Sequence, residues 1–183
     1  MGILIKARKY MNKHTLINLY NSFIFPYLIY CVEIWGNACD THLDPLVKMQ
    51  NTILRIITFS PPYQTSSAPL YINNKILPLK KLVVQRIGLQ MYKYSIGTLP
   101  PVIQNLFTVN ESMHHYNTRQ KKNLRQHVAN REYMYRNFSY VGVYVWNYIK
   151  SKSNIDVHLS YHTFKRKLKE HLLYNDNLNF RLK

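Results

Sequence analysis

Residues 25–37, FPYLIYCVEIWGN, form an apolar and aromatic run with Glu33 in its middle. Such a run must leave water, either across a membrane or inside protein. Spanning a bilayer needs roughly 20 predominantly apolar residues. Reading back from Trp35 over that length meets Glu33, Pro26, Ser22, Asn21 and Asn18. A mid-helix acid alone costs about 2.5–3.5 kcal/mol on insertion scales. The run therefore predicts a kinked helix buried in protein, with Tyr27, Tyr30 and Trp35 supplying large contact areas with polar tips. Pro26 predicts a kink or end near Phe25. Gly36-Asn37 predicts the stop.

Helical periodicity extends on both sides of the run. Leu16, Leu19, Tyr20, Phe23 and Ile24 precede it at helical spacing. Asp40 or Thr41 reads as the N-cap of a second helix through Phe59, striped by Leu43, Leu46, Val47, Leu54 and Ile57, with Pro45 in its first turn. SPPYQTSSAP, 60–69, reads as a linker, followed by a short segment at 69–76. A third helix is expected over 79–96, ended by Gly97, and a short helical piece from Pro100-Pro101 to Phe107. Residues 161–173 give the clearest helix, with Tyr161, Phe164, Leu168 and Leu172 on one side. Residues 108–132 read as an extended basic loop. Residues 133–141, rich in Tyr, Phe and Val, read as short paired strands, and 143–149 fit strand or helix. The expected fold class is mainly α: a small helical bundle with a basic loop and room for a short β-hairpin near 133–145. Composition divides the chain into 1–107 and 108–183, or leaves it one continuous domain.

Charge narrows the partner. Of the 183 residues, 46% are hydrophobic, enough for a real core, yet 25 Lys and Arg face 8 Asp and Glu, a net +17. The excess is spread along the chain: 11 basic and 3 acidic residues over 1–110 (+8), 14 and 5 over 111–183 (+9). This balance points to a polyanion, nucleic acid first and an anionic membrane surface second. Cys31 and Cys39 offer no disulfide framework, which favours a reducing, intracellular setting, nuclear or cytoplasmic.

No catalytic constellation is legible. There is no glycine-rich phosphate loop and no GxSxG elbow. Asp40 and Asp44 lie one helical turn apart, but both suit a helix start better than a metal. His158 and His162 have the i, i+4 spacing of metal ligands, but Leu159 stands where the full motif wants glutamate. The site expectation therefore names no catalytic and no metal residue. Cations interleaved with aromatics are conspicuous instead. His115, Tyr116, Arg119, Lys121, Lys122, Arg125, Arg131 and Arg136 accompany Tyr133 and Tyr135 in the loop region. Lys6, Arg8, Lys9 and Lys13 cluster at the start, and Lys165, Arg166, Lys167 and Lys169 lie on the last helix. Arg and Lys neutralise phosphates and Tyr stacks on unpaired bases. The competing reading places the tyrosines in a core and the cations in solvent.

The ordered pieces LYNSFIFPYLIYCVEIWGN, LDPLVKMQNTILRIITFS and APLYINNKILPL, followed by HHYNTRQ, GVYVWNYI and HTFKRKLKEHLL, resemble the C-terminal part of non-LTR retrotransposon reverse transcriptases over nearly the whole chain. The resemblance implies a thumb-like helical region over 1–107 and the segment beyond it. It also implies an RNA-directed DNA polymerase whose Phe/Tyr-x-Asp-Asp palm motif binds two catalytic metals. Asp-Asp does not occur in this sequence, and two-metal catalysis needs such carboxylates. The implied function is thus that of a C-terminal fragment, catalytically inert alone and without a cofactor of its own, the parent's Mg belonging to the missing palm. The implied partners are that palm and its fingers, and RNA or DNA held through sequence-insensitive backbone contacts. Cys31 stands where related sequences often have glycine, Val143 where proline is common, and Tyr148-Ile149 where Leu-Pro is usual. A free-standing basic nucleic-acid-binding module, a peripheral membrane protein and, last, a metal-dependent hydrolase using His158 and His162 are the alternatives.

Overall fold

The computed structural model describes residues 2–61, 66–112, 121–153 and 155–175. It is mainly helical, with no strand or sheet among the described residues apart from an isolated Val109–Leu124 bridge. The chain forms two compact units. One comprises the residues up to Val83 with Leu173–Asn175, and the other Val84–Leu172. The division at 107/108 is one of composition; the division in packing falls inside a helix, at Val83/Val84.

The first unit begins with α1 (Gly2–Ala7) and α2 (Lys13–Leu19). Asn12 caps α2, its Oδ1 accepting from the Thr15 main-chain N–H and hydroxyl, both at 2.9 Å. A π-helical turn, Tyr20–Ile24, leads into α3 (Phe25–Ile29), with Pro26 in its first turn. Proline has no N–H and its ring crowds the preceding turn, so a widened turn ahead of it accommodates the expected kink. Tyr30 is extended, Cys31 is left-handed at φ 48°, and α4 (Val32–Trp35) ends at Gly36. The Trp35 indole N–H donates to the Tyr30 carbonyl at 2.7 Å.

The run 25–37 is not the buried helix its composition predicts. Leu28 and Val32 are buried, but Tyr27, Tyr30 and Ile34 are 81%, 75% and 78% exposed. The break at Tyr30-Cys31 makes two helices of five and four residues. Each is about one turn long, so only one side of each can face the core.

Helix α5 (Asp40–Thr58) is capped by Cys39 without a side-chain bond, not by Asp40 or Thr41. Asp40 is its first residue and pairs with Lys80 at 2.6 Å. Pro45 consequently falls in the second turn, where it removes one main-chain donor. The helix ends on Phe59, left-handed at φ 57°, where Ser60 N–H returns to the Arg55 carbonyl at 3.1 Å. Then come α6 (Ala68–Asn73) and the start of α7 (Leu79–Ser95). Leu16, Tyr20, Leu43, Ile53, Leu54, Ile57 and Leu79 form the core of this unit, with Gln50 among them.

The second unit is built from the rest of α7, α8 (Pro101–Gln104), α9 (Phe138–Lys152) and α10 (Tyr161–Tyr174) up to Leu172. Gly97, at φ 70°, ends α7 as its sequence predicts. Tyr92 stacks on Phe164 at 4.6 Å and donates to the Leu159 carbonyl at 2.5 Å. No hairpin forms near 133–145: Glu132–Arg136 is a 3₁₀ turn and α9 follows at once. Asn137 caps α9, its Oδ1 accepting from Ser139 N–H at 3.3 Å. Val141, Val143 and Val145 are all buried, as are Gly142, Trp146 and Ile149. A helix buried on most of its sides loses the 3.6-residue pattern, and these alternating valines then read like a strand. Gly142 permits a close approach, since a Cβ there would stand 2.9 Å from the Met91 sulfur.

A left-handed non-glycine residue carries about 1–2 kcal/mol of strain. Cys31→Gly is therefore expected to stabilise the chain by about 0.5–1 kcal/mol after glycine's entropic cost. Urea denaturation of the two proteins measures the difference.

Candidate nucleic-acid interface

The N-terminal cations sit on a closed turn. Arg8 N–H bonds to the Leu4 carbonyl at 2.9 Å, and Tyr10 and Met11 N–H to the Ala7 carbonyl at 3.0 and 2.9 Å. Lys6, Lys9 and Lys13 are exposed around this turn. Arg8 is half-buried, its guanidinium lying 4.9 Å over the Phe59 ring.

The sequence reading missed what lies next to Arg8. Lys48, Asn51, Thr52 and Arg55 follow the i, i+3, i+4, i+7 spacing of one helical face on α5. With Arg8 and Ser60 they line a cleft of about 510 Å³. The signal was available as a polar stripe, overlooked beside the apolar one. Asn51 Oδ1 accepts from the Tyr71 hydroxyl at 2.8 Å, so its amide nitrogen, a donor, is the end turned away from Tyr71. Burial raises the Tyr71 pKa, Tyr20 adds to the rise, and the Arg55 charge offsets part of it. Tyr71 thus remains a neutral donor that orients Asn51.

In the second unit, His115, Tyr116 and Arg119 lie outside the described residues. Lys121, Lys122 and Arg125 lie on a returning segment tied down by main-chain bonds. Arg125 N–H reaches the Thr108 carbonyl at 2.8 Å, Asn110 N–H the Asn123 carbonyl at 3.0 Å, and Glu111 N–H the Lys121 carbonyl at 3.1 Å. Asn147 of α9 clamps the same segment from both ends of its amide. It accepts from Leu124 N–H at 3.2 Å and donates to the Leu124 carbonyl at 2.9 Å. Lys122, Arg125 and Arg131 are exposed. Lys121 pairs with Glu111 at 3.2 Å and Arg136 with Glu132. Both carboxylates are largely in solvent, so these pairs are weak. Tyr133 is exposed, whereas Tyr135 packs edge-on against Tyr140 at 5.0 Å. On α10, Lys165, Arg166 and Lys167 are exposed and Lys169 is half-buried. Lys165, Arg166 and Lys169 share one side by spacing.

The histidine pair does not form the one-helix motif that its spacing suggests. His158 lies in the turn before α10 and His162 within it, so the two do not share one helix. Among the described residues, no three His, Cys, Asp or Glu side chains come together as a ligand set. Among the same residues, no helix is long and apolar enough to cross a membrane. Comparison with protein-family models, with curated proteins and with solved structures finds no match.

Asn147→Ala would remove both bonds to Leu124 and leave a partly buried N–H and carbonyl unpaired. A destabilisation of about 1–2 kcal/mol is expected. Amide hydrogen exchange should quicken at residues 123–125 while α10 keeps its protection.

Proposed function

We propose that this chain binds RNA or DNA through phosphate contacts, as a C-terminal, thumb-like part of a non-LTR retrotransposon reverse transcriptase that is catalytically inert on its own. The observation that carries the binding reading is the presentation of the cations. Of the 25 Lys and Arg, 13 fall at the α1–α2 turn, on the 121–136 segment and along α10. Such surfaces suit a polyanion whose charge repeats along its length. An exposed Tyr133 among the cations of 121–136 adds a stacking partner for unpaired bases.

Two observations support the reverse-transcriptase reading in particular. Cys31 occupies a left-handed backbone position, and glycine, the residue that resemblance expects there, takes such a position without strain. Phe23, Tyr27, Tyr30 and Ile34 are exposed at spacings of four, three and four, which suits a fragment whose neighbouring domain is absent. In this reading the palm supplies the metals and the chemistry, and this chain grips the duplex or single strand by its backbone.

Anisotropy titration of a labelled 20-nucleotide single strand tests the binding. With four phosphate contacts, affinity should fall by nearly two orders of magnitude between 50 and 200 mM salt, roughly the slope of 0.7 per contact. Two unrelated oligonucleotide sequences should bind alike. Affinity indifferent to salt would contradict the proposal. A reading frame ahead of Met1 without a palm motif would contradict its reverse-transcriptase part.

A further inference from the structure

We propose that the cleft between Arg8 and the outer face of α5 is a phosphate site, seating one phosphate group of the bound nucleic acid. The inference rests on the nucleic-acid reading above and deepens it. Three cations, Arg8, Lys48 and Arg55, line one concavity of about 510 Å³, and none of its described lining residues is acidic. Cations gathered in this way repel one another, and an anion in their midst relieves the repulsion. A backbone phosphodiester spreads one negative charge over two non-bridging oxygens, and each oxygen can accept from more than one cationic donor.

Each donor is held by a different device. Arg8 uses the face of its guanidinium on Phe59, which keeps the in-plane N–H groups available for oxygen. Lys48 and Arg55 are two turns apart on the same face of α5. Asn51 is oriented by Tyr71. The two hydroxyls are not anion donors. Thr52 donates to the Lys48 carbonyl at 2.9 Å. Thr58 donates to the Leu54 carbonyl at 2.8 Å, so in the Thr58–Ser60 pair it is Ser60 that donates. Recognition therefore falls to Arg8, Lys48 and the Asn51 amide, with Arg55 adding its charge to the lining, a set that reads charge and oxygen geometry but no base.

The test uses the full chain, Lys48→Gln and, as a charge control outside the cleft, Lys80→Gln. Lys48 is exposed, so its replacement leaves the core untouched. Anisotropy with the 20-nucleotide strand should show Lys48→Gln weakening affinity about 3–10-fold and lowering the salt slope by about 0.7, with less than about a twofold effect from Lys80→Gln. Arg8→Gln should behave like Lys48→Gln. In parallel, the melting temperature is measured with 10 mM inorganic phosphate against chloride at equal ionic strength. A Lys48-dependent rise shows that the cleft takes phosphate itself. Lys48-dependent oligonucleotide binding without that rise shows that it takes phosphate only within a nucleic acid. If the chain binds no oligonucleotide but phosphate still protects it through Lys48, the cleft stands and the nucleic-acid reading falls. If oligonucleotide binds the parent and Lys48→Gln with equal affinity and slope, and phosphate protects neither, the cleft proposal is overturned and the nucleic-acid reading survives.

Discussion

One buried amide determines how the first unit is assembled. Gln50, 1% exposed, lies in the core stripe of α5. Its Nε2 donates to the Tyr20 hydroxyl at 3.1 Å and to the Leu77 carbonyl at 3.0 Å, and its Oε1 accepts from Leu79 N–H at 2.8 Å. Leu79 opens α7, so this bond satisfies one of the N–H groups that a helix start leaves without a partner. Burial raises the Tyr20 pKa, and the bond from Gln50 offsets part of that rise. A buried amide left unpaired would cost about 1–3 kcal/mol per group. The π-helical turn, α5 and the approach to α7 must therefore meet at this one residue.

That constraint also sets the outward face. With Gln50 and the apolar residues Leu43, Leu54 and Ile57 turned inward, the 100° step of the helix turns Lys48, Asn51, Thr52 and Arg55 to the opposite side. The packed core and the cationic cleft are two consequences of the same rotation of α5. In the second unit the logic is similar: Trp146 of α9 is buried in the core, and Asn147, the next residue, fastens the basic segment at Leu124.

Features set by local chemistry were legible in the sequence. The kink before Pro26, the end at Gly36, the stop at Gly97 and the extents of α7 and α10 each rest on one or two residues acting on their own backbone. What was not legible depends on distant partners. Gln50 interrupts an apolar stripe and reads as a polar intruder until Tyr20, thirty positions away, meets it. The exposure of Tyr27, Tyr30 and Ile34 depends on a left-handed Cys31, which residue type alone does not announce. The start of α9 read as a strand, and 143–149 as strand or helix, because burial on most sides erases helical periodicity. The cations were visible as composition, but the convergence of Arg8 with Lys48 and Arg55 needed the turn after α1 to be placed beside α5.

The central claim is that nucleic acid is held by particular surfaces and not by diffuse charge, and lysine acetylation footprinting with and without a single-stranded oligonucleotide tests it directly. Protection is expected at Lys6, Lys9, Lys13 and Lys48, with Lys80, already paired with Asp40 at 2.6 Å, unchanged by the oligonucleotide. Equal protection of every lysine, or protection at none, would contradict the account.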